Sequence, residues 1–147
     1  LLRTLSLVDI LLINDAEVRQ LAEEGNLFRA AAKIRALGLK TLVVKRGEYG
    51  ALMFAGTSVF ICPAFPVEDV LDPTGAGDTF AGGFCGFLAA AGNADEPAQR
   101  KAVVFGSVMA SFTVSDFGPR RLGELTYTEI EGRFREFRRF TFVADLD

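Results

Sequence analysis

The sequence predicts an α/β fold, and three observations support this class. Two short apolar runs, LVDILLIN (7–14) and KTLVVKRG (40–47), have the length and composition of strands that are buried on both faces of a parallel sheet. Two segments with helical periodicity lie between them, which gives a strand–helix–helix–strand unit with a right-handed crossover. Finally, the 147 residues are 50% hydrophobic, which is enough for one domain with a substantial core.

The two helices between the strands carry clear start and stop signals. DAEVRQLAEE (15–24) has acidic residues in its first turn and is followed by Gly25. NLFRAAAKIRALG (26–38) begins with Asn26, a good N-cap residue, and Gly38 would close it. This second segment has one apolar stripe that we expect to face the core, formed by Leu27, Ala30, Ala31, Ile34 and Leu37.

A hairpin and a glycine-rich helix are predicted next. GALMFAGTSVFICPA (50–64) indicates a β-hairpin with its turn near Ala55-Gly56-Thr57. GDTFAGGFCGFLAAAG (77–92) can be helical only if its glycines serve close packing, because each costs roughly 1 kcal/mol relative to alanine.

Two further helices complete the predicted elements. EPAQRKAVVFGSVMASFTVSDFG (96–118) has the pattern of a long buried helix with a proline in its first turn and a glycine after its end. YTEIEGRFREFRRF (127–140) indicates a docked amphipathic helix rather than a basic binding patch, because charge runs usually mark solvated faces. Its apolar side would contain Ile130, Phe134 and Phe137, with Arg133, Arg135, Arg138 and Arg139 largely elsewhere.

The composition argues against several function classes. A net charge of −3 argues against nucleic-acid binding, and the absence of histidine excludes Ser-His, Cys-His and His-ligated zinc chemistry. Cys62 and Cys85 are too far apart for a C-x-x-C site, and we expect both to be ordinary buried thiols. The apolar stretch 79–91 is too short to span a bilayer. Without a secretory signal, two thiols indicate a cytoplasmic location and no membrane partner.

The stretch DPTGAGDTFAGGF (72–84) invites comparison with two known glycine-rich nucleotide motifs, and it matches neither. A Walker A loop requires Lys and Ser/Thr where this chain has Gly83 and Phe84. A Rossmann fingerprint requires a third glycine where this chain has Phe80, and the acidic residues at the right distance lie in a polar loop instead of at a strand end.

A loop that ends at a helix N-terminus explains the same residues better. Gly75, Ala76 and Gly77 would let consecutive backbone N–H groups approach an anion, and the helix dipole adds positive potential there. Asp78 would then be the side chain able to accept a proton beside a phosphoryl group in transfer, a reaction that depends mostly on positioning. The alternative is that the glycines form only a turn and that Asp78 is only a helix cap.

The same stretch resembles the C-terminal signature of the PfkB, or ribokinase-like, family of sugar and nucleoside kinases. Three other stretches are similar to family motifs in the same order: NDAE (14–17), KRGEYGA (45–51) and FGSVMASFTVSDFGP (105–119). The resemblance covers nearly the whole chain. It implies a ribokinase-like three-layer α/β/α sandwich, of which residues 1–147 would be the C-terminal, nucleotide-binding portion.

The resemblance also implies roles for individual residues. Asp78 would be the catalytic base and Gly75, Ala76 and Gly77 the anion hole. Magnesium, held partly through water, would be served by Asn14 and Glu17, and Asp72 would help bind a monovalent cation such as K⁺. For Glu17 a first-turn helix acid, and for Asp72 an Asx turn before Pro73, remain the alternatives. Nucleotide contacts are implied for Asn14, Lys45, Gly47, Gly50, Thr74, Ser107 and Gly118.

Family members are longer, and the resemblance implies that the N-terminal part with the lid and most acceptor contacts is absent here. The sheet would then keep an unpaired edge, which a missing N-terminal half or a second copy in a homodimer would have to cover. We therefore expect an ATP-dependent kinase of a small sugar or nucleoside whose 147 residues alone are inactive. The alternative is a nucleotide-binding module without catalysis.

Overall fold

A computed structural model of the protein describes residues 2–118 and 120–145. These residues belong to two compact units, Leu1–Cys62 and Pro63–Asp147. Pro119, the last residue of the stretch FGSVMASFTVSDFGP, lies outside the described residues.

The first unit is a four-stranded mixed sheet with helices. Its strand order is β1-β2-β3-β4, with β1 parallel to β2 and the other neighbours antiparallel. The predicted strand–helix–helix–strand unit and the hairpin, with its turn at Gly56 and Thr57, are therefore confirmed. The elements in chain order are α1 (Leu2–Leu5), β1 (Ile10–Asn14), α2 (Asp15–Ala22), α3 (Leu27–Arg35), β2 (Thr41–Lys45), β3 (Ala51–Ala55) and β4 (Ser58–Cys62).

Burial differs between the two parallel strands. In β2 the first four residues are buried, as predicted. The prediction of burial on both faces is wrong for β1, whose five residues are all half-buried. The reason lies in the topology: in the part of the chain that the structure describes, β1 pairs only with β2 and forms an edge of the sheet.

The helix α3 packs its predicted stripe into the core of this unit. Asn26 caps α3, since its side-chain oxygen accepts a hydrogen bond from the Arg29 amide at 3.1 Å. Leu37 is the exception to the stripe: α3 ends at Arg35, and Leu37 lies beyond it at 36% exposure. One cluster of buried core residues consists of Val18, Leu27, Ala30, Ala31, Ile34, Leu39, Leu42, Val44, Leu52 and Phe54.

The second unit is helical, with an extended segment before its first helix. It contains α4 (Ala76–Ala91), α5 (Glu96–Val114), α6 (Arg120–Glu124) and α7 (Tyr127–Thr141). All three helices predicted for this part of the chain are confirmed. None of the helices in residues 2–118 and 120–145 combines the length and hydrophobicity needed to cross a membrane.

Two glycines allow α4 and α5 to pack closely. A Cβ on Gly106 of α5 would lie 2.7 Å from the Phe80 carbonyl oxygen of α4, and a Cβ on Gly83 would lie 3.0 Å from Met109 Cγ. The prediction that the α4 glycines serve packing is thus correct for Gly83. At Gly82 and Gly86 a Cβ would meet nothing within 4 Å.

The outer face of α4 overturns one expectation about the cysteines. Cys62 is buried as expected, but Cys85 is exposed. Residue 85 lies on the same side of the helix as Gly82, Gly86 and Ala89, all of them exposed. The helix is apolar on all sides, so its sequence does not show which side is covered.

The helix α7 docks through its aromatic residues, but not with the predicted distribution of arginines. Phe137 is 2% exposed, and Ile130 and Phe134 are half-buried, as expected. The placement of Arg133 away from this side is wrong, because residue 133 lies three positions after 130 and four before 137. Its guanidinium lies over the rings of Phe112, at 3.7 Å from the centroid, and Phe65, at 5.1 Å.

Candidate functional site

The loop before α4 turns abruptly into the helix at Gly75. This residue has φ +79°, in the left-handed region, and is the N-cap of α4. A Cβ there would meet nothing within 4 Å, so glycine is favoured by backbone conformation and not by lack of space. Asp78 is exposed in the first turn of α4. The carboxylate and the helix N-terminal amides are therefore at the same end of the helix.

Hydrogen bonds within the loop show how Asp72 is used. Its Oδ1 accepts a hydrogen bond from the Thr74 amide at 2.8 Å, which is the Asx turn that the sequence left open. Hydrogen bonds from Thr74 lower the pKa of Asp72 below its ordinary value. Thr74 itself is exposed.

One of the predicted anion-hole amides is engaged in the same loop. The Ala76 N–H donates to the Pro73 carbonyl at 3.2 Å, closing a turn. An anion held by the amides of residues 75–77 would therefore have to displace this bond. The helix dipole and the exposed position of the loop favour an anion there, so the loop can become an anion site after a small rearrangement.

Two contacts join this loop to the end of α5. The Thr113 hydroxyl donates to the Thr79 hydroxyl at 2.9 Å, and the Leu71 amide donates to the Val114 carbonyl at 2.8 Å. They bring the turn after α5, which contains Gly118 at φ +66°, towards the start of α4. The loop before α4 and the turn after α5 therefore begin next to each other, at Leu71 and Val114. No motif in the sequence indicated the Thr79–Thr113 pair.

Ser107 occupies a different environment from the other candidates of the second unit. It lies in the middle of α5, is 8% exposed, and its hydroxyl donates to the Pro63 carbonyl at 3.4 Å. This arrangement gives the side chain a structural partner, and its predicted nucleotide contact stays a prediction.

The candidates of the first unit gather where the two parallel strands end. Asn14 and Lys45 are the last residues of β1 and β2 and are paired in the sheet register. The turn after β2 contains Gly47 and Gly50 at φ +56° and +81°, and it is closed by a hydrogen bond from the Arg46 amide to the Gly50 carbonyl. The carboxyl ends of parallel strands are where α/β folds bind ligands.

Asn14 and Glu17 form a capping box at the start of α2. Asn14 Oδ1 accepts from the Glu17 amide at 2.7 Å, and Glu17 Oε2 accepts from the Asn14 amide at 3.0 Å. Both side chains therefore have a structural role, so the helix-acid interpretation of Glu17 is also realised. Glu17 is exposed, and one of its two carboxylate oxygens accepts the hydrogen bond of the capping box.

These residues fit a magnesium ion only in an open, water-rich form. Residues 2–118 and 120–145 contain no group of three or more carboxylate, thiol or imidazole side chains that would enclose a metal. Mg²⁺ commonly keeps several waters and takes one or two carboxylates together with substrate phosphates. Glu17 would supply the one carboxylate of such a site through the oxygen that the capping box does not use.

Two clefts of the second unit, among the residues that the structure describes, lie outside this set of residues. One, of about 330 Å³, is lined mainly by the segment 65–68 and α7. The other, of about 210 Å³, is lined by aromatic residues that include Phe87, Phe105 and Phe134. Neither includes a predicted site residue. The candidate site is therefore an exposed loop-and-turn surface in each unit.

A comparison with known protein families shows which family the chain belongs to. The model of the pfkB family carbohydrate kinases matches residues 1–124, a range that contains every candidate residue named above. The chain belongs to the pfkB family. The resemblance that the sequence motifs carried is thereby confirmed.

Individual relatives of this pfkB family member are kinases of sugars and nucleosides. A cytidine kinase of Thermococcus kodakarensis is 40% identical over 81 residues, which cover 54% of this chain and 29% of that protein. The aminoimidazole riboside kinase of Salmonella enterica, solved with aminoimidazole riboside and an ATP analogue, has a TM-score of 0.80 at 27% identity, covering 90% of this chain and 44% of that one.

A second solved structure carries both nucleotide and metal. An Escherichia coli protein assigned as ribokinase II, in complex with ATP and Mg²⁺, has a TM-score of 0.76 at 30% identity, covering 92% of this chain and 42% of that one. The predicted ribokinase-like α/β fold is confirmed by these likenesses. The chain spans less than half the length of the relatives named here.

Proposed function

We propose that this chain is the nucleotide-binding and catalytic portion of a kinase that transfers the γ-phosphoryl group of ATP to a hydroxyl of a small sugar or nucleoside. The observation that carries the proposal is the sharp turn at Gly75 into α4, with Asp78 exposed in its first turn. Membership of the pfkB family supports the same reaction, as do two structural relatives, one in complex with an ATP analogue and the other with ATP and Mg²⁺.

In this proposal Asp78 accepts the proton of the acceptor hydroxyl. The hydroxyl oxygen forms a bond to the γ-phosphorus while the bond from that phosphorus to the bridging oxygen breaks, and ADP leaves with that electron pair. A carboxylate is a weak base towards an alcohol. It suffices here because the loose transition state of phosphoryl transfer needs little early activation of the nucleophile.

The amides of residues 75–77 would stabilise the charge on the phosphoryl oxygens in transfer. The partial positive charge of the α4 N-terminus acts at the same place. The Ala76 amide would exchange its bond to the Pro73 carbonyl, at 3.2 Å, for one to the phosphoryl oxygen. Because one hydrogen bond replaces another, this rearrangement costs little.

The remaining candidates would hold the rest of the nucleotide and its ions. Asn14, Lys45, Gly47, Gly50, Thr74, Ser107 and Gly118 are proposed as nucleotide contacts. Magnesium, when bound, would neutralise charge on the phosphates, with Glu17 and Asn14 orienting its water ligands. Asp72 is proposed to help bind a monovalent cation through the oxygen that does not accept the Thr74 amide.

The test combines nucleotide binding with turnover. Mg·ATP is titrated into the 147-residue chain by calorimetry, and ADP release is followed with sugars and nucleosides as acceptors, with and without K⁺. We expect binding, and little turnover by these residues alone, since the matched residues cover only 29% of the cytidine kinase and 44% of the aminoimidazole riboside kinase. A longer form that binds ATP but releases no ADP with any acceptor would favour the alternative, a non-catalytic nucleotide-binding module. Absence of ATP binding would contradict both.

A further inference from the structure

The base of the phosphate loop is held at both flanks by two consecutive residues of α5. Leu71, directly before the loop, donates its amide to the Val114 carbonyl at 2.8 Å. Thr79, directly after Asp78, accepts the Thr113 hydroxyl at 2.9 Å. Residues 72–78 therefore form a loop whose two ends both contact the end of α5.

Thr113 is well placed to act as a fixed anchor. Thr113 is the second-to-last residue of α5 and is 3% exposed. Its hydroxyl therefore has little access to water and needs a hydrogen-bond partner in the protein. The rest of the α4–α5 contact is closely packed, because a Cβ on Gly106 or Gly83 would lie within 3.0 Å of the other helix. Thr113 is therefore on a helix that packs tightly against the body of α4.

The Thr113 hydroxyl contacts the first turn of α4, which is the part of the helix with the least support from its own hydrogen bonds. The first turn of a helix has amides without intrahelical acceptors and frays more easily than the middle. In α4 this turn contains Gly77 and Asp78 and has no side-chain N-cap, because its N-cap is Gly75. The Thr113 hydroxyl supports this turn from outside the helix, in addition to the backbone hydrogen bond from the Thr79 amide to the Gly75 carbonyl at 2.9 Å.

We propose that Thr113 is a positioning residue: its hydroxyl, through Thr79, fixes the first turn of α4 and thereby the orientation of Asp78 and the phosphate-binding amides. This proposal rests on the proposed kinase function for its catalytic meaning, but its structural part stands independently. It assigns a role to a residue that lies 34 positions from Thr79 and to which the motif comparison assigned none.

Three variants of the 147-residue chain separate positioning from general stability. Thr113→Val keeps the shape and removes the hydroxyl, whereas Thr113→Ser keeps the hydroxyl. Ser111→Ala is the matched control: Ser111 is a buried hydroxyl of the same helix, 4% exposed, whose bonds go to the Val108 carbonyl and to Arg133 instead of to α4.

The readouts are amide hydrogen exchange at residues 76–79 and the Kd for Mg·ATP. Thr113→Val should raise the exchange rates of these amides about fivefold and the Kd for Mg·ATP about fivefold. This is the change in an equilibrium constant that the loss of one net hydrogen bond causes. Thr113→Ser should restore both values. Ser111→Ala should leave both unchanged, even if it lowers the melting temperature.

Unchanged exchange at residues 76–79 in Thr113→Val, or an equal effect of Ser111→Ala, would overturn the positioning role. Failure of the unmodified chain to bind Mg·ATP would instead overturn the proposed function. The exchange comparison still decides the structural part in that case, so the two failures are distinguishable.

Discussion

A Cβ on Gly106 of α5 would lie 2.7 Å from the carbonyl oxygen of Phe80 in α4, and 3.2 Å from two atoms of its ring. Real Cβ atoms do not approach a carbonyl oxygen this closely, so a side chain at residue 106 would have to push the two helices apart. Phe80 is two residues after Asp78. The close helix contact at Gly106 therefore lies within one helical turn of Asp78.

Gly106→Ala should destabilise the protein although alanine is the better helix former. Overpacking of a close contact costs roughly 1–3 kcal/mol, which exceeds the gain of about 1 kcal/mol in helix propensity. The obstacle is backbone, which cannot rotate away as a side chain can. The free energy of unfolding from urea denaturation measures the effect.

Gly82→Ala is the matched control for this substitution. It makes the same chemical change inside a helix, but a Cβ at residue 82 would meet nothing within 4 Å. We expect a gain of about 0.5–1 kcal/mol in the free energy of unfolding. If both variants changed stability in the same direction, the inference of close helix packing at Gly106 would be wrong.

The two thiols should differ sharply in reactivity. Burial raises the pKa of the Cys62 thiol to about 12, whereas Cys85 is exposed on α4. Because the thiolate is the reactive form, Cys62 should be protected from a thiol reagent such as dithionitrobenzoate in the folded protein. We expect one thiol to react quickly at pH 8 and the second only in denaturant. The variants Cys85→Ser and Cys62→Ser identify which is which, and fast labelling of the Cys85→Ser variant would contradict the burial of Cys62.

Acid should weaken the protein partly through Glu129 at the start of α7. Hydrogen bonds from the Arg121 guanidinium and from Thr126 lower the pKa of this carboxyl to about 2. A folded pKa below the unfolded one means that the unfolded chain binds more protons. The contribution of Glu129 is thus fully present above the ordinary glutamate pKa of about 4.3 and is lost as the pH falls towards 2.

The measurement is the melting temperature of the wild type and of Glu129→Gln between pH 6 and pH 2. The difference between them should be largest near neutral pH and shrink across the window from about 4.3 to about 2. Glu131→Gln, which removes an exposed ion pair with Arg135 on the same helix, is the control. A wild-type advantage over Glu129→Gln that is the same at pH 6 and pH 2 would refute the role of this carboxylate.

Local features of the fold could be predicted from the sequence because their causes are local. The run of β-branched residues in β2 and the glycine turn at Gly56 are confirmed as expected. The same holds for the N-cap at Asn26, whose side chain needs only the amide three residues ahead. Each of these depends on residues within a few positions.

Features that depend on distant neighbours could not be predicted in this way. The partial exposure of β1 follows from its position at an edge of the sheet, and the exposure of Cys85 follows from which side of α4 is covered. The Thr79–Thr113 contact joins residues 34 positions apart that carry no common pattern. At the candidate site, the sequence motif indicated the turn at Gly75, but not that the Ala76 amide is bound to Pro73.

Asp78→Asn should abolish phosphoryl transfer while leaving ATP binding intact. Asparagine has nearly the same shape as aspartate but cannot accept the proton of the acceptor hydroxyl. General-base catalysis typically contributes 10²–10⁴-fold, so we expect ADP release to fall at least about 100-fold. The measurement uses the form of the protein, either these 147 residues or a longer chain containing them, that releases ADP with a sugar or nucleoside.

The control is Asp69→Asn, which removes one exposed carboxylate from the segment before the loop without touching the motif. It makes the same change in net charge, so any general electrostatic effect on Mg·ATP would occur in both variants. Asp78 lies in the first turn of α4, where an acid stabilises a helix by roughly 0.3–1 kcal/mol. The melting temperature of Asp78→Asn measures how much of this helix stabilisation is lost. Near-normal ADP release by Asp78→Asn would show that Asp78 is only a helix acid. A loss of turnover that paralleled a loss of ATP affinity would instead place this carboxylate in nucleotide binding, because a base that acts only in the transition state affects kcat and leaves the Kd unchanged.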